Sequence, residues 1–429
     1  MQNAMMRKAM TVALAMLMLL LLGAVDARAQ QFTQWGWPQP YEQVSQKSID
    51  WLKQQGWWPI QYGYQSPWLG QATIPLLLKE HGLDKKRGLD VQLQSFLAGP
   101  PLNEALVAGK IQIGVGGNFP LTTLLVRKAP VHSPGIVWTP VLEHAVLVPL
   151  DSTAKTAGDL KGKVVGLVAG SSSEFAFNAY LRGNGMDPKE VSIKSLPIPD
   201  QATMPKGIDA VVPWSPTPNL MVKHRKNAKV FADTAPFQLY WGTLHLRDEI
   251  FQNAPDVVQA VVDMAVEAML IARLNPKAAA EVTRKDPALA AYPPELMLEE
   301  TIATVSAFKP SWIYPFVDIY GPAGAQVAKF LHDSGRIKEP LGEDAYRAWF
   351  QGGTKWMDAT FKKLGWKIPK EPPYFPAGVT TASFRQALAG GQRLNLILPY
   401  RLEKPQPFPE PQDLEKRWQY DGKWYEPAK

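Results

Sequence analysis

Val164-Val165-Gly166-Leu167-Val168-Ala169-Gly170-Ser171-Ser172-Ser173-Glu174 decides the fold class. Val164 to Leu167 read as a buried strand, Ala169-Gly170 as a turn, and Ser172 to about Arg182 as a helix. A strand that hands a Gly/Ser loop to a helix start is half of a βα unit, and open α/β sheets bind ligands beyond the carboxyl ends of their strands. The helix start offers backbone N–H groups and the positive end of the helix dipole to an anion. The same letters also serve the helix alone. Ser171-x-x-Glu174 matches a capping box, and Glu174 in the first turn opposes a second negative charge.

The pattern extends on both sides. Gln61 to Gln65 can end a strand, and Gln71 to His81 reads as a helix. Leu89 to Phe96 alternates with period two, Gly99-Pro100-Pro101 turns, and Leu102 to Ala108 is helical. Ile111 to Val115 alternates again and runs into Gly116-Gly117-Asn118. Ala145 to Leu150 is an apolar strand, and Asp209 to Val212 is a short strand entering Pro213-Trp214. Strand and helix in short alternation predict an α/β architecture with largely parallel sheets, as two small units in series. The longest helical signal is Pro255 to about Leu274, with apolar Val257, Val258, Val261, Val262, Ala265, Met269 and Leu270 on one side. Further helix-like segments lie around Glu295–Phe308 and Pro322–Ser334. Residues 30–56 read as a loosely packed leader, and the chain from about Pro369 as an irregular tail laid on the surface.

Composition removes whole classes of function. The 429 residues suit two or three domains. A hydrophobic share of 46% with 20% charged residues can bury a sizeable core. The net charge of +7 contains no dense Lys/Arg block, so nucleic acid is not an expected partner. Cys is absent, which excludes disulfides, thiolate zinc sites, iron–sulfur clusters and thiol nucleophiles. The six His have no i, i+4 pair, so no metal is expected. Gly114-x-Gly116-Gly117 lacks the third glycine of the dinucleotide fingerprint, and there is no P-loop or G-x-S-x-G. No cofactor and no enzymatic activity are expected. Arg7-Lys8, an apolar run from Ala9 to Val25, and Ala27-Arg28-Ala29 form a signal peptide cleaved after Ala29. With no cysteine to carry a lipid, the mature protein is expected to be soluble and outside the cytoplasm.

The strand-end loops therefore hold the candidate site. Besides the serines they present Ala98-Gly99-Pro100 and Gly116-Gly117-Asn118, where backbone can approach a ligand closely. Aromatic residues cluster in the same loops: Tyr62, Tyr64 and Trp68, then Trp214, then Phe237, Tyr240 and Trp241. Converging on one cleft, they suit a flat or partly apolar ligand with one polar head.

Five segments in this order carry a resemblance. They are Tyr62-Gly63-Tyr64-Gln65; Phe96 through Leu106; Ile113 through Pro120; Asp159 through Gly166 with Gly170 to Ser173; and Asp209 through Pro216. The series resembles the periplasmic substrate-binding proteins of ABC importers for aliphatic sulfonates, taurine and nitrate, over roughly residues 60 to 335. The resemblance implies a type II periplasmic binding protein fold, two α/β lobes joined by two hinge strands, with an irregular C-terminal extension. It implies lobe one at 57–147 and 242–335, lobe two at 148–241, the signal peptide at 1–29, the leader at 30–56 and the extension at 336–429. It also implies capture of a small organic anion by domain closure. As partners it implies permease subunits with a cytoplasmic ATPase, for a monomeric binding protein. Ligand contacts carried over or adjoining these motifs are Gln65, Trp68, Gly99, Pro100, Asn118, Ser171, Ser172, Ser173, Trp214, Phe237 and Tyr240. Asn118 stands where the family often has Asp, Ala98 where it often has Ser, and Ser215 where Trp-Asp-Pro is usual. A neutral Asn would ease binding of an anion. The known enzymes that share this fold use cysteines that this chain lacks; the alternative roles are a periplasmic ligand sensor or accessory protein, or an enzyme on the same scaffold.

Overall fold

The structure is a computed structural model. It describes residues 31–33, 35–138, 144–306, 320–350, 353–364, 378–389, 394, 418–420 and 423–425. The expected signal peptide lies outside the described residues.

Eleven strands build two sheets. β1 (Ile60–Gln65), β2 (Val91–Phe96), β3 (Ile113–Gly117), β4 (Val131–His132) and β5 (Ile136–Trp138) open the first lobe. β6 (Ala145–Pro149), β7 (Val164–Leu167), β8 (Ser192–Ser195), β9 (Ala210–Val211) and β10 (Ala228–Asp233) form the second, and β11 (Gly242–Arg247) returns to the first. The first sheet has the order β2-β1-β3-β11-β4 with β5 also on β11; the second is β8-β7-β9-β6-β10. Only β2-β1-β3 and β8-β7-β9 pair in parallel. The sheets are therefore mixed, because each strand that arrives from the other lobe enters antiparallel. Two connections pass between the lobes, from β5 to β6 and from β10 to β11. The first lies earlier than the expected boundary after Leu147, since all of Ala145–Pro149 pairs within the second sheet.

The helices that matter for the site follow the chain: α1 (Gln46–Gln54), α2 (Leu69–Glu80), α3 (Gly99–Val107), α4 (Asn118–Val126), α5 (Ser172–Gly183), α6 (Pro255–Leu274), α7 (Pro294–Ser306) and α8 (Tyr320–Asp333). Proline at the first position, where its missing N–H costs nothing, starts α6 and α7. α6 is apolar around most of its surface because it is covered by α2 on one side and by later helices on others.

The two ends of the chain depart from expectation. The leader is packed: Trp37, Val44 and Leu52 are buried, and α1 is capped by Ser45. Its anchor is a buried ion pair 180 residues apart in sequence, Arg87 to Glu267 at 2.7 Å. The guanidinium lies over the rings of Trp37 and Tyr41 at 4.9 and 4.8 Å. Trp35 Nε1 and Tyr41 Oη both donate to Glu267. The extension supplies three helices, α9 (Glu343–Trp349), α10 (Gly353–Leu364) and α11 (Thr381–Ala389), and near its end Trp418–Tyr420 and Lys423–Tyr425 pair as a short antiparallel ladder. Trp349, Phe350, Trp356, Met357, Phe361, Phe384 and Leu388 are buried in the main cores. The stretch after about Pro369, expected to be irregular, thus supplies at least one packed helix, α11.

The lobes are shut against each other. One apolar cluster runs from Trp68, Leu244 and α6 into Leu147, Ile198, Val211 and Met221 of the second lobe. On one flank Glu300 of α7 accepts from Ser215 Oγ at 2.7 Å and from Asn219, and Thr217 pairs with Tyr292 at 2.7 Å. On the other flank Arg182 of α5 meets Asp333 at 3.0 Å, and Glu174 meets Arg336.

Candidate functional site

β1 delivers Gln65 to the seam between the lobes. Its neighbours are pinned on both sides: Tyr64 Oη and Ser66 Oγ each donate to the Asp286 carboxylate at 2.6 Å. Asp286 is itself buried and caps the helix Pro287–Ala290 by accepting from Ala288 N and Leu289 N. Gln65 is 2% exposed, and its Nε2 has no partner among the described residues. A donor held ready in this way needs an acceptor, since buried polar groups are ordinarily paired.

Asn118 stands at the first position of α4 and is fully buried. Its Nδ2 donates to Leu239 O at 3.2 Å, so its Oδ1 is turned to the second lobe, where it accepts from Ser172 Oγ at 3.2 Å. Gly117 allows this approach. A Cβ there would lie 2.3 Å from Tyr240 Oη and 2.7 Å from Ser172 Oγ. Gly99 is needed for packing within lobe one, because its Cβ would fall 2.4 Å from Pro120 Cγ. Pro100 faces the second lobe at Gly170, whose Cβ would come 3.5 Å from the proline ring.

The three serines divide their work. Ser171 is the N-cap: its Oγ accepts from Ser173 N at 3.2 Å, donates to Val168 O, and pairs with Ser173 Oγ at 2.8 Å. Ser172 alone crosses to lobe one. Glu174 does not close the expected reciprocal box. Its Oε2 accepts from Gly170 N at 2.8 Å, one residue earlier, and the carboxylate is neutralised by Arg336. The anion-opposing charge foreseen at the helix start is thereby cancelled.

Aromatic rings close the rest. Trp68 and Trp214 stack at 5.1 Å and 27°, and Tyr240 lies 5.6 Å from Trp68. Trp214 Nε1 donates across the seam to Pro67 O at 2.9 Å. His144 meets Tyr240, Trp68 and Trp214 at 5.3, 6.4 and 6.5 Å, each roughly edge-on. Burial keeps its imidazole neutral, with a pKa pushed down to about 3. His144 was not among the expected site residues, and its only sequence signal is its place immediately before the first strand of the second sheet. Phe237 does not join the group. It packs on α5, where a Cβ on Gly183 would lie 2.2 Å from its ring, and makes an edge contact with Tyr180 at 5.5 Å. There it lines a separate cleft of about 330 Å³ with Arg182, Phe330 and Asp333. Across the seam Asn118 meets Ser172, Trp68 meets Trp214, and Pro100 faces Gly170. Gln65 and Gly99 lie beside each other at the strand ends of lobe one, and Ser171 and Ser173 bond within their own helix start. No charged side chain of the described residues takes part in the ring group or in the Asn118–Ser172 contact.

A family model described as NMT1/THI5 like matches residues 71–279. A binding protein of Brucella abortus (strain 2308) is 26% identical over 246 residues, 53% of this chain and 71% of the relative. The taurine-binding periplasmic protein of Escherichia coli (strain K12) is 27% identical over 199 residues, 45% of this chain and 60% of the relative. The alkanesulfonate-binding protein SsuA from Xanthomonas axonopodis pv. citri, solved bound to MOPS, superposes with a TM-score of 0.57. It is 22% identical and covers 67% of this chain and 96% of its own. The chain is thus similar to proteins named as periplasmic binding proteins, one of them of an ABC transporter in Brachyspira hyodysenteriae (strain WA1). Its two sheets and the two crossings between them match the type II binding-protein architecture.

Proposed function

We infer that the chain is a solute-binding protein that captures a small organic anion between its lobes and delivers it to the permease of an ABC importer. The observation that carries this reading is the junction of Gln65, Asn118, Ser172, Trp68, Trp214 and Tyr240. These residues come from both lobes, are each no more than 3% exposed, and keep a donor in reserve at Gln65. The named ligands of the relatives, taurine and an alkanesulfonate, are of this class. On this reading the signal peptide is removed, the mature monomer works in the periplasm without a lipid anchor, and the permease is served by a cytoplasmic ATPase. Neutral hydroxyl and amide groups, with the N-terminus of α5, hold the acidic head. The rings hold the remainder.

Solute cannot reach side chains this buried unless the lobes part, so capture requires an open form and a closed one. A solute that touches both lobes favours the closed form by its differential affinity for it. The test is a thermal-shift panel on residues 30–429 with sulfonates, carboxylates, nitrate and pyrimidines. A true ligand at 100 times its Kd adds about 2.7 kcal/mol of stability. Ser172→Ala and Trp214→Ala are expected to abolish most of that shift, and small-angle scattering is expected to show a more compact envelope with the ligand. Unaltered shifts in both variants would place the pocket elsewhere. Turnover of a bound anion would replace capture by catalysis.

A further inference from the structure

His144 is the least explained side chain in the seam. It is 2% exposed, and neither ring nitrogen has a hydrogen-bond partner among the described residues. Its backbone is held in place. The His144 carbonyl accepts from Thr234 N and from Thr234 Oγ1 at 3.0 Å, and its backbone bridges to Trp214. Both crossings between the lobes are thus fastened at this residue, and the imidazole is aimed into the rings of Trp68, Trp214 and Tyr240.

Tyr240 links this point to the polar end of the site. Its hydroxyl lies beside Gly117 and Ser172, while its ring faces His144. The distance from the Asn118–Ser172 pole to the imidazole is therefore about one phenol long. We propose that His144 is a solute contact, and that the solute is an aromatic acid carrying a hydroxyl or amino group opposite its acidic head. It lies along Tyr240 once Trp68 and Trp214 have separated. The proposal rests on the anion-capture reading above and names the class of anion.

The chemistry of each pole fits. Gln65 Nε2 and the start of α5 supply donors for the acidic head. A neutral imidazole offers one donor and one acceptor, and a hydroxyl or amino group can answer either. A second acid at that end is disfavoured, because His144 also borders a cleft of about 150 Å³ that contains Glu300 and Asp233. Burial disfavours the charged form of both carboxylic acids, and a further negative charge brought there meets the same desolvation cost.

The test is calorimetric titration of the mature chain with 4-hydroxybenzenesulfonate, benzenesulfonate and ethanesulfonate, repeated on His144→Phe and His144→Gln. Phe keeps a ring and removes both orphan nitrogens, so the variant is expected to fold. Its unliganded melting temperature, measured alongside, checks this. The expected order of affinity is hydroxylated ring, plain ring, then alkyl, with at least tenfold between the first two. His144→Phe is expected to weaken 4-hydroxybenzenesulfonate tenfold or more and erase that preference. His144→Gln, which again supplies a donor and an acceptor, restores part of it. Equal binding of ethanesulfonate, or a hydroxyl preference that survives in His144→Phe, overturns the proposal and leaves anion capture standing. If none of the three binds and the wider anion panel gives no shift, capture itself fails and this assignment falls with it.

Discussion

Asp286 shows how much of a binding site is decided by side chains that never enter it. One buried carboxylate accepts from Tyr64, Ser66, Ala288 and Leu289, and so holds the end of β1 on both sides of Gln65. Asp286→Asn keeps the volume but turns one acceptor into a donor facing other donors. The expected cost is about 3 kcal/mol, the scale for stranding buried partners of a charged group. Urea unfolding measures it, and Ser66→Ala is expected to cost less because it removes only one of the four bonds. Residue-level reading of the sequence went part of the way here. Gln65 ends β1, Asn118 opens α4 and Ser172 opens α5, places that the sequence marks by its strand pattern and by its Gly and Ser punctuation. Asp286 and His144 are not marked in this way, because their importance lies in what packs around them: 220 residues separate Asp286 from Ser66. Phe237 lies in the expected crossover, but its ring packs against Gly183 of α5 and not with Trp68, Trp214 and Tyr240.

At the scale of elements, legibility followed punctuation. α6 runs from Pro255 to Leu274 as expected, because proline marks its start and its apolar spacing is continuous. β2 and β3 form where the alternating letters place strands, although β3, central in its sheet, is buried at every position. The irregular extension implied by the resemblance gives way to helices, since Trp356, Met357, Thr360, Phe361 and Leu364 form an ordinary helical stripe. That stripe is buried on α6, with Thr360 and Lys363 both bonded to Asp263 at 2.6 Å. The extension also props the site from behind. Tyr346 of α9 is fully buried, fits over Gly324 of α8, and its hydroxyl pairs with Thr122 Oγ1 of α4 at 2.8 Å. Since Asn118 heads α4, Tyr346→Ala is expected to loosen the site as well as the fold. The cost should be about 3–5 kcal/mol, typical for emptying an aromatic position in a core. Chemical denaturation gives the first effect and ligand titration the second. A full loss of stability with unchanged affinity would separate the extension from the site.

The whole molecule is governed by its seam. Glu300 crosses it from lobe one to Ser215 and Asn219 of lobe two, with Glu299 and Lys223 paired beside it. Burial raises the Glu300 pKa above the ordinary carboxylate value of 4.5. In that window the folded chain binds this proton more readily than the unfolded chain. The Glu300 contribution to stability is therefore fullest below pH 4.5 and falls as pH rises through the raised value. Glu300→Gln is expected to remove this component. The difference in unfolding free energy between wild type and variant, followed from pH 4 to 8, should slope in the direction that favours the variant at higher pH. A flat difference would mean that the carboxylate is solvated in the native state.

The stacked pair Trp68 and Trp214 has a practical consequence. Each indole belongs to a different lobe, so their electronic coupling exists only while the halves meet and no guest ring lies between them. Near-ultraviolet circular dichroism should therefore read three conditions from the unlabelled protein: empty and shut, parted, and shut upon an aromatic guest. The molecule carries its own optical gauge.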